Sequence, residues 1–211
     1  MNDRLFVTKI LDAWRSWCAN PTIELDYKNH FTLLVAIVLS ARATDVGVNK
    51  ATHSLFEMYS TPREFIKLGE ENLSFYVKTI GLYRTKAKNI LKMSHILESK
   101  YDGQVPSNFE DLVQLPGVGR KSANVFLNNA YGAQTMPVDT HVFRVARRIG
   151  WSDATTVLGV ERDLVAILPK KCLNHANNWL VLHGRYVCKA RKPNCTKCLI
   201  NKYCKYYNES K

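Results

Sequence analysis

The sequence contains no long apolar run. The longest, Leu33 to Leu39, is far short of the roughly 20 residues needed to span a bilayer. It also lacks a secretory signal: MNDRLFVTKILDAW has no apolar core and no small-residue cleavage site, and reads instead as an amphipathic helix with Leu5, Ile10 and Trp14 on one side. No membrane partner is expected. Period-two strands with hairpin turns are hard to find, and no Gly/Ser linker or low-complexity stretch separates two modules. Acidic residues are scarce, 18 Asp plus Glu against 30 Lys plus Arg, for a formal net charge of +12. That excess favours a polyanionic partner, because each cation can displace a counterion condensed on phosphate. A hydrophobic content of 46% with 23% charged residues excludes a wholly disordered chain.

What the chain does have is helical punctuation. Its 211 residues suit one large domain or two small ones, long enough to bury a core without disulfides. Leu33 to Ala41 reads as a buried helix, and Lys86 to Leu97 carries Ile90, Leu91 and Ile96 as an apolar stripe. Ala123, Phe126, Leu127 and Ala130 repeat at i, i+3, i+4 and i+7, with Gly132 as the stop. Val142, Val145, Ala146 and Ile149 do the same before Gly150. The expected fold class is all-α.

Cysteine is concentrated near the C-terminus. Cys188, Cys195, Cys198 and Cys204 form the spacing C-x6-C-x2-C-x5-C. Four thiolates can complete a tetrahedral zinc site or hold one iron–sulfur cubane. Structural zinc usually uses two well-separated C-x2-4-C knuckles, and only one is present, so the spacing favours the cluster. Cys18, beside Trp14 and Trp17, reads as a packing residue. The same region, 185–211, holds eight basic residues against one acidic. Between the first two cysteines lie Lys189, Arg191 and Lys192, a basic loop that ligation would pin in place for a phosphate backbone, or a solvated loop that offsets thiolate charge.

Leu115-Pro116-Gly117-Val118-Gly119-Arg120-Lys121 places two glycines before a helix, leaving bare N–H groups at a helix N-terminus, which suits an anion. No strand precedes it and no third glycine follows in register, so it is not a dinucleotide fold; the phosphate-loop pattern is also absent. A hairpin between helices gripping a DNA phosphate fits best. Lys121 reads either as another phosphate contact or as a nucleophile. The helix N-terminus, Arg120 and partial burial would each favour its neutral amine. Asp139 directly precedes an apolar-periodic helix and alone reads as an N-cap; paired with Lys121 one helix earlier, it reads as a second chemical group.

Together these motifs resemble the endonuclease III family of helix-hairpin-helix DNA glycosylases. Leu39-Ser40-Ala41 with Ala43-Thr44-Asp45, and Thr79-Ile80-Gly81-Leu82-Tyr83, extend the resemblance over nearly the whole chain. It implies two helical lobes with DNA lying across a cleft: a six-helix helix-hairpin-helix domain over residues 22–135, and a discontinuous domain of residues 1–21 and 136–211 holding one [4Fe–4S] cluster. It implies a bifunctional glycosylase and abasic-site lyase of base excision repair acting on oxidised pyrimidines, with Lys121 and Asp139 catalytic. Gly117, Val118, Gly119 and Arg120 would hold DNA with the basic loop, Ile80 and Leu82 would wedge into the emptied duplex, and Asp45, His141 and Arg144 would line the lesion side.

One position departs from the family pattern. Arg42 stands where glutamine is usual, beside the orphaned base, and offers only donors and a permanent charge. A shift toward orphan guanine is expected, since its O6 and N7 accept from arginine. Other readings are the same fold acting on mismatched thymine or uracil or on pyrimidine dimers, and a non-catalytic, cluster-containing DNA-binding module. Monomeric damaged-duplex binding in a bacterial cytoplasm completes the expectation.

Overall fold

The computed structural model describes residues 4–209. The elements are α1 (Arg4–Trp17), α2 (His30–Ser40), α3 (Asp45–Met58), α4 (Pro62–Tyr76), α5 (Tyr83–Tyr101), α6 (Phe109–Leu112), α7 (Arg120–Tyr131), α8 (Thr140–Ile149), α9 (Val157–Ile167), α10 (Leu173–Tyr186) and α11 (Lys205–Glu209). Among the described residues there is no strand, and no helix is long and apolar enough to cross a membrane. The all-α expectation holds.

The chain divides into two compact units, Glu24–Tyr131 and a discontinuous one of Met1–Ile23 with Gly132–Lys211. In the continuous unit, α2 is apolar nearly all round and buries residues Phe31 to Leu39, as a helix surrounded by others must. Its start is fixed by a capping box, in which the Asn29 side chain accepts from Thr32 N and Thr32 Oγ1 from Asn29 N. A second capping box joins Thr61 and Glu64 at the head of α4, with Pro62 in the first turn. Phe31 meets Phe65 edge to face at 5.0 Å, a geometry favoured by the ring quadrupoles.

The discontinuous unit is organised around tryptophan. Trp14 of α1 is fully buried, with Trp151 edge-on at 5.5 Å and Trp179 of α10 at 6.5 Å. The buried side of α1 is Val7, Ile10, Leu11 and Trp14, whereas Leu5 is exposed; the expected Leu5–Ile10–Trp14 face is thus corrected, because the i, i+3, i+4, i+7 set beginning at Val7 is the one that closes on the core. Helices α8 and α10 approach closely at Gly184, where a Cβ would stand 2.8 Å from His141 Cβ and 3.2 Å from Val145 Cγ2. Gly150 ends α8 with φ +87°, the left-handed C-terminal position where glycine avoids a Cβ penalty.

Candidate functional site

In the continuous unit the hairpin is anchored by apolar side chains and open at its backbone. Leu115 and Val118 are buried, and Val118 N donates to Leu115 O at 3.0 Å. Gly117 has φ +84°, and a Cβ there would lie 3.2 Å from Val38 Cγ1 and 3.3 Å from Asn89 Cβ, so both backbone angle and space call for glycine. A Cβ on Gly119 would meet nothing within 4 Å: that side is free for a ligand. The carbonyl of Gly119 receives Ala123 N and opens α7, whose first N–H groups lack intrahelical acceptors. Arg120 and Lys121 lie in this first turn, both exposed, Arg120 with its guanidinium 5.6 Å from the Phe109 ring centroid. The expected partial burial of Lys121 is therefore not found. Val118, being buried, has only its backbone to offer a ligand.

Two other loops of this unit take strained backbone. The residues Ser40 to Ala43 form a turn closed by Ala43 N donating to Ser40 O at 3.0 Å, with Ala41 at φ −56°, ψ 113° and Arg42 at φ 57°. Those angles are those of a type II turn, which normally places glycine or asparagine where Arg42 stands. At the other loop Leu82 has φ 60° and is 64% exposed, while Ile80 is 4% exposed. Ile80 is thus a buried turn residue and not a second wedge: its amide bonds back to Val77 O at 2.9 Å and turns its side chain into the core. Asp45 follows the Thr44 cap and lies half-buried in the first turn of α3.

In the discontinuous unit, Asp139 is the N-cap of α8, its Oδ1 accepting from Val142 N at 2.8 Å. His141 is half-buried with Nδ1 3.2 Å from Arg144 Nη2. Arg144 donates to Gly184 O at 2.8 Å, to Cys188 O at 3.0 Å and to Thr140 O at 3.3 Å. Its guanidinium thereby ties α8 to the end of α10, a task the isolated motif does not disclose.

The four clustered cysteines come together around one cavity, also lined by His183, Ile149 and Ile200, and none of the four is paired in a disulfide. Burial pushes the Cys198 thiol up to about 11, with the neighbouring thiols Cys204, Cys188 and Cys195 adding to the rise. Burial likewise raises Cys204. Two further residues organise this centre, both missed in the sequence because neither belongs to a recognisable spacing. Arg148 donates to Lys189 O at 2.8 Å, to Ala190 O at 3.1 Å and to Cys188 Sγ at 3.5 Å, clamping the start of the basic loop. His183 is buried, which drops its pKa to about 4. Its Nδ1 lies 3.3 Å from Trp14 Nε1 and its Nε2 lies 3.7 Å from Cys198 Sγ. An indole N–H only donates, so Nδ1 accepts and the proton of the neutral ring sits on Nε2, facing the sulfur. Lys189, Arg191 and Lys192 are all exposed.

Residues 35–170 match the HhH-GPD superfamily of base excision DNA repair proteins. The chain is 54% identical over 201 residues to endonuclease III of Rickettsia prowazekii, covering 95% of each chain. The chain belongs to the endonuclease III family. Its identity to the Escherichia coli K12 member is 46% over 198 residues, 94% of each chain. The solved structure of a trapped endonuclease III–DNA covalent intermediate superposes with a TM-score of 0.90 at 40% identity, covering 100% of this chain and 99% of that one. As a member of the endonuclease III family the protein is a bifunctional DNA glycosylase and abasic-site lyase of base excision repair, which sets aside the non-catalytic reading of the motifs.

Proposed function

We propose that Lys121 and Asp139 carry this chemistry, on duplex DNA containing oxidised pyrimidines. The carrying observation is the position of Lys121: an exposed amine in the first turn of α7, beside a glycine with open space around it. The damaged nucleotide first leaves the stack, which costs a few kcal/mol and less for a damaged base. The neutral Lys121 nitrogen then bonds to C1′ while the base departs with the electrons of the glycosidic bond. Asp139 accepts the amine's proton and stabilises the positive charge that grows on the sugar. With Oδ1 held by Val142 N–H, its second oxygen is the one left to take the proton. Ring opening leaves a Schiff base between Lys121 and C1′. Loss of a C2′ proton then expels the 3′ phosphate by β-elimination.

A covalent intermediate in a relative aligned over the whole chain supports a nucleophilic route. Borohydride trapping on abasic or thymine-glycol duplex tests it: wild type should give a cross-linked complex and Lys121→Ala none. Trapping that persists in Lys121→Ala would move the nucleophile elsewhere. A panel of damaged bases, each opposite all four partners, tests the lesion class.

The backbone of Gly117, Val118, Gly119 and Arg120 serves as a phosphate site in this reading. Leu82 fills the vacated duplex, Arg42 faces the orphaned base, and Asp45 and His141 stand on the lesion side. Lys189, Arg191 and Lys192 hold a second stretch of backbone.

The cysteine centre fits a [4Fe–4S] cluster. Four thiolates from one short stretch of chain are the donor set that such a cluster takes. Cluster thiolates bind separate irons while lining one common cavity, and these four cysteines line one cavity together. Such a cluster supplies structural cross-linking, and Cys188, Cys195, Cys198 and Cys204 would hold it. One chain carries every residue named, consistent with a monomer, and bacterial relatives such as those of Rickettsia and Escherichia support a cytoplasmic setting on chromosomal DNA.

A further inference from the structure

Lys86 is a lysine placed where lysines are rarely found. It lies in the first turn of α5, and only 6% of it is exposed, whereas lysine is almost never fully buried without a partner. Its Nζ donates to Leu39 O at 2.9 Å and to Ala41 O at 2.6 Å. Burial lowers its pKa, while the end of α2 offers the negative pole of a helix dipole to the ammonium. The Leu39 bond satisfies one of the carbonyls orphaned at the helix end. The bond to Ala41 does something more particular.

Ala41 O belongs to the central peptide of the type II turn that ends in Arg42. Types I and II differ by a flip of that peptide, and type II forces the following residue to positive φ. For arginine the type I form is the less strained, since its φ there is negative. A hydrogen bond to the carbonyl of the central peptide opposes the flip. Lys86 also connects to the other strained loop, because its own N–H donates to the carbonyl of Leu82 at 3.0 Å and starts α5.

We infer that Lys86 is the positioning residue of the strand-invading surface: its ammonium locks the Ala41–Arg42 peptide in the type II state and fixes Arg42 in register with Leu82. The inference rests on the proposed reading that Arg42 and Leu82 enter the duplex. Without the ammonium, the turn relaxes toward type I and Arg42 swings away from the orphaned base. The chemistry at Lys121 is left untouched.

The test uses the full-length, cluster-loaded enzyme under single turnover. Substrates are an abasic site in duplex opposite each of the four bases and the same abasic site in single-stranded DNA, which has no orphaned base. Lys86→Met should cleave single strands within about twofold of wild type, while its duplex rates lose the spread among opposite bases and converge on those of Arg42→Ala. Lys86→Gln, which keeps a donor, should fall between, and Lys86→Met combined with Arg42→Ala should lose nothing further. Wild-type opposite-base ratios in both Lys86 variants would overturn the inference, as would equal losses on single-stranded and duplex substrates in the better-folded of the two. If Arg42→Ala and Leu82→Ala both behave as wild type on duplex, the reading of those two side chains fails, and Lys86 has nothing to position. If they are impaired while Lys86→Met is not, only the Lys86 inference falls.

Discussion

Asparagine caps a helix about as well as aspartate, and alanine at a cap costs about 1 kcal/mol. The two roles given to Asp139 are therefore separable. Asp139→Asn should leave the melting temperature nearly unchanged yet lower turnover by about 10²-fold or more, the usual scale of a lost general base. Asp139→Ala should lose both activity and roughly 1 kcal/mol of stability, measured by denaturant titration. Equal activity in wild type and Asp139→Asn would reduce this carboxylate to its capping bond with Val142. Arg42→Gln replaces a donor-only cation by a side chain that both donates and accepts. Kinetics on one lesion opposite all four bases should show a weaker preference for orphan guanine; an unchanged profile would take Arg42 out of base recognition. Which residues are candidates for chemistry was legible in the sequence at this scale, because Lys121, Asp139 and the four cysteines sit in spacings that carry meaning. Side-chain destination was not. Ile80 and Leu82 are neighbours in one motif with nearly equal hydrophobicity, and only the turn geometry sends one inward and the other out.

Helix boundaries and caps were largely legible, since Asp139, Gly150 and the apolar periods announce them. The close approach of α8 and α10 was not, because Gly184 inside a helical pattern looks merely unfavourable until its neighbours are known. Gly184→Ala should destabilise the protein by about 1–3 kcal/mol through overpacking against His141 and Val145; a gain in stability on thermal melting, as expected for alanine in an uncrowded helix, would contradict that packing. The head of α4 adds a pH dependence. The Glu64 carboxylate accepts from the backbone N–H of Ser60 at 2.7 Å and of Thr61 at 3.0 Å. The Ser60 bond is the main reason that its pKa lies below the ordinary 4.5. Because the folded value is the lower one, this stabilisation is fully present above about pH 4.5 and is lost as pH falls through the folded pKa. Glu64→Gln should flatten that part of the acid limb in a pH series of melting curves.

For the molecule as a whole, charge placement tells more than charge total. The formal +12 would shrink with four thiolates ligated, whereas Lys189, Arg191 and Lys192 are exposed on a loop held by Arg148. Changing these three to Gln should reduce the slope of log affinity against log salt by up to about 0.9 for each phosphate that is no longer neutralised; a wild-type slope would assign them to solvent. Cys198→Ala should abolish the broad visible absorption of thiolate-bound iron and weaken DNA binding through the loosened loop. Loss of colour with undiminished affinity would separate the cluster from the loop. Composition pointed to a polyanionic partner and apolar periodicity to a helical fold. The pairing of Trp14 with His183, 169 positions away, was invisible because no local pattern encodes an interaction of such range.

That separation bears on how the protein is made. The apolar side of α1 is made before the Glu24–Tyr131 unit, but Trp151, Trp179 and His183, which enclose Trp14, are encoded beyond the whole of it. At about 5–20 residues per second, the first helix waits on the order of ten seconds for its partners. Through that interval Val7, Ile10, Leu11 and Trp14 lack the partners that bury them in the folded chain. The central unit, one continuous stretch of sequence, can complete itself meanwhile. The order of synthesis thus favours the middle: every residue of the unit bearing Lys121 is made before the partners of Trp14 are.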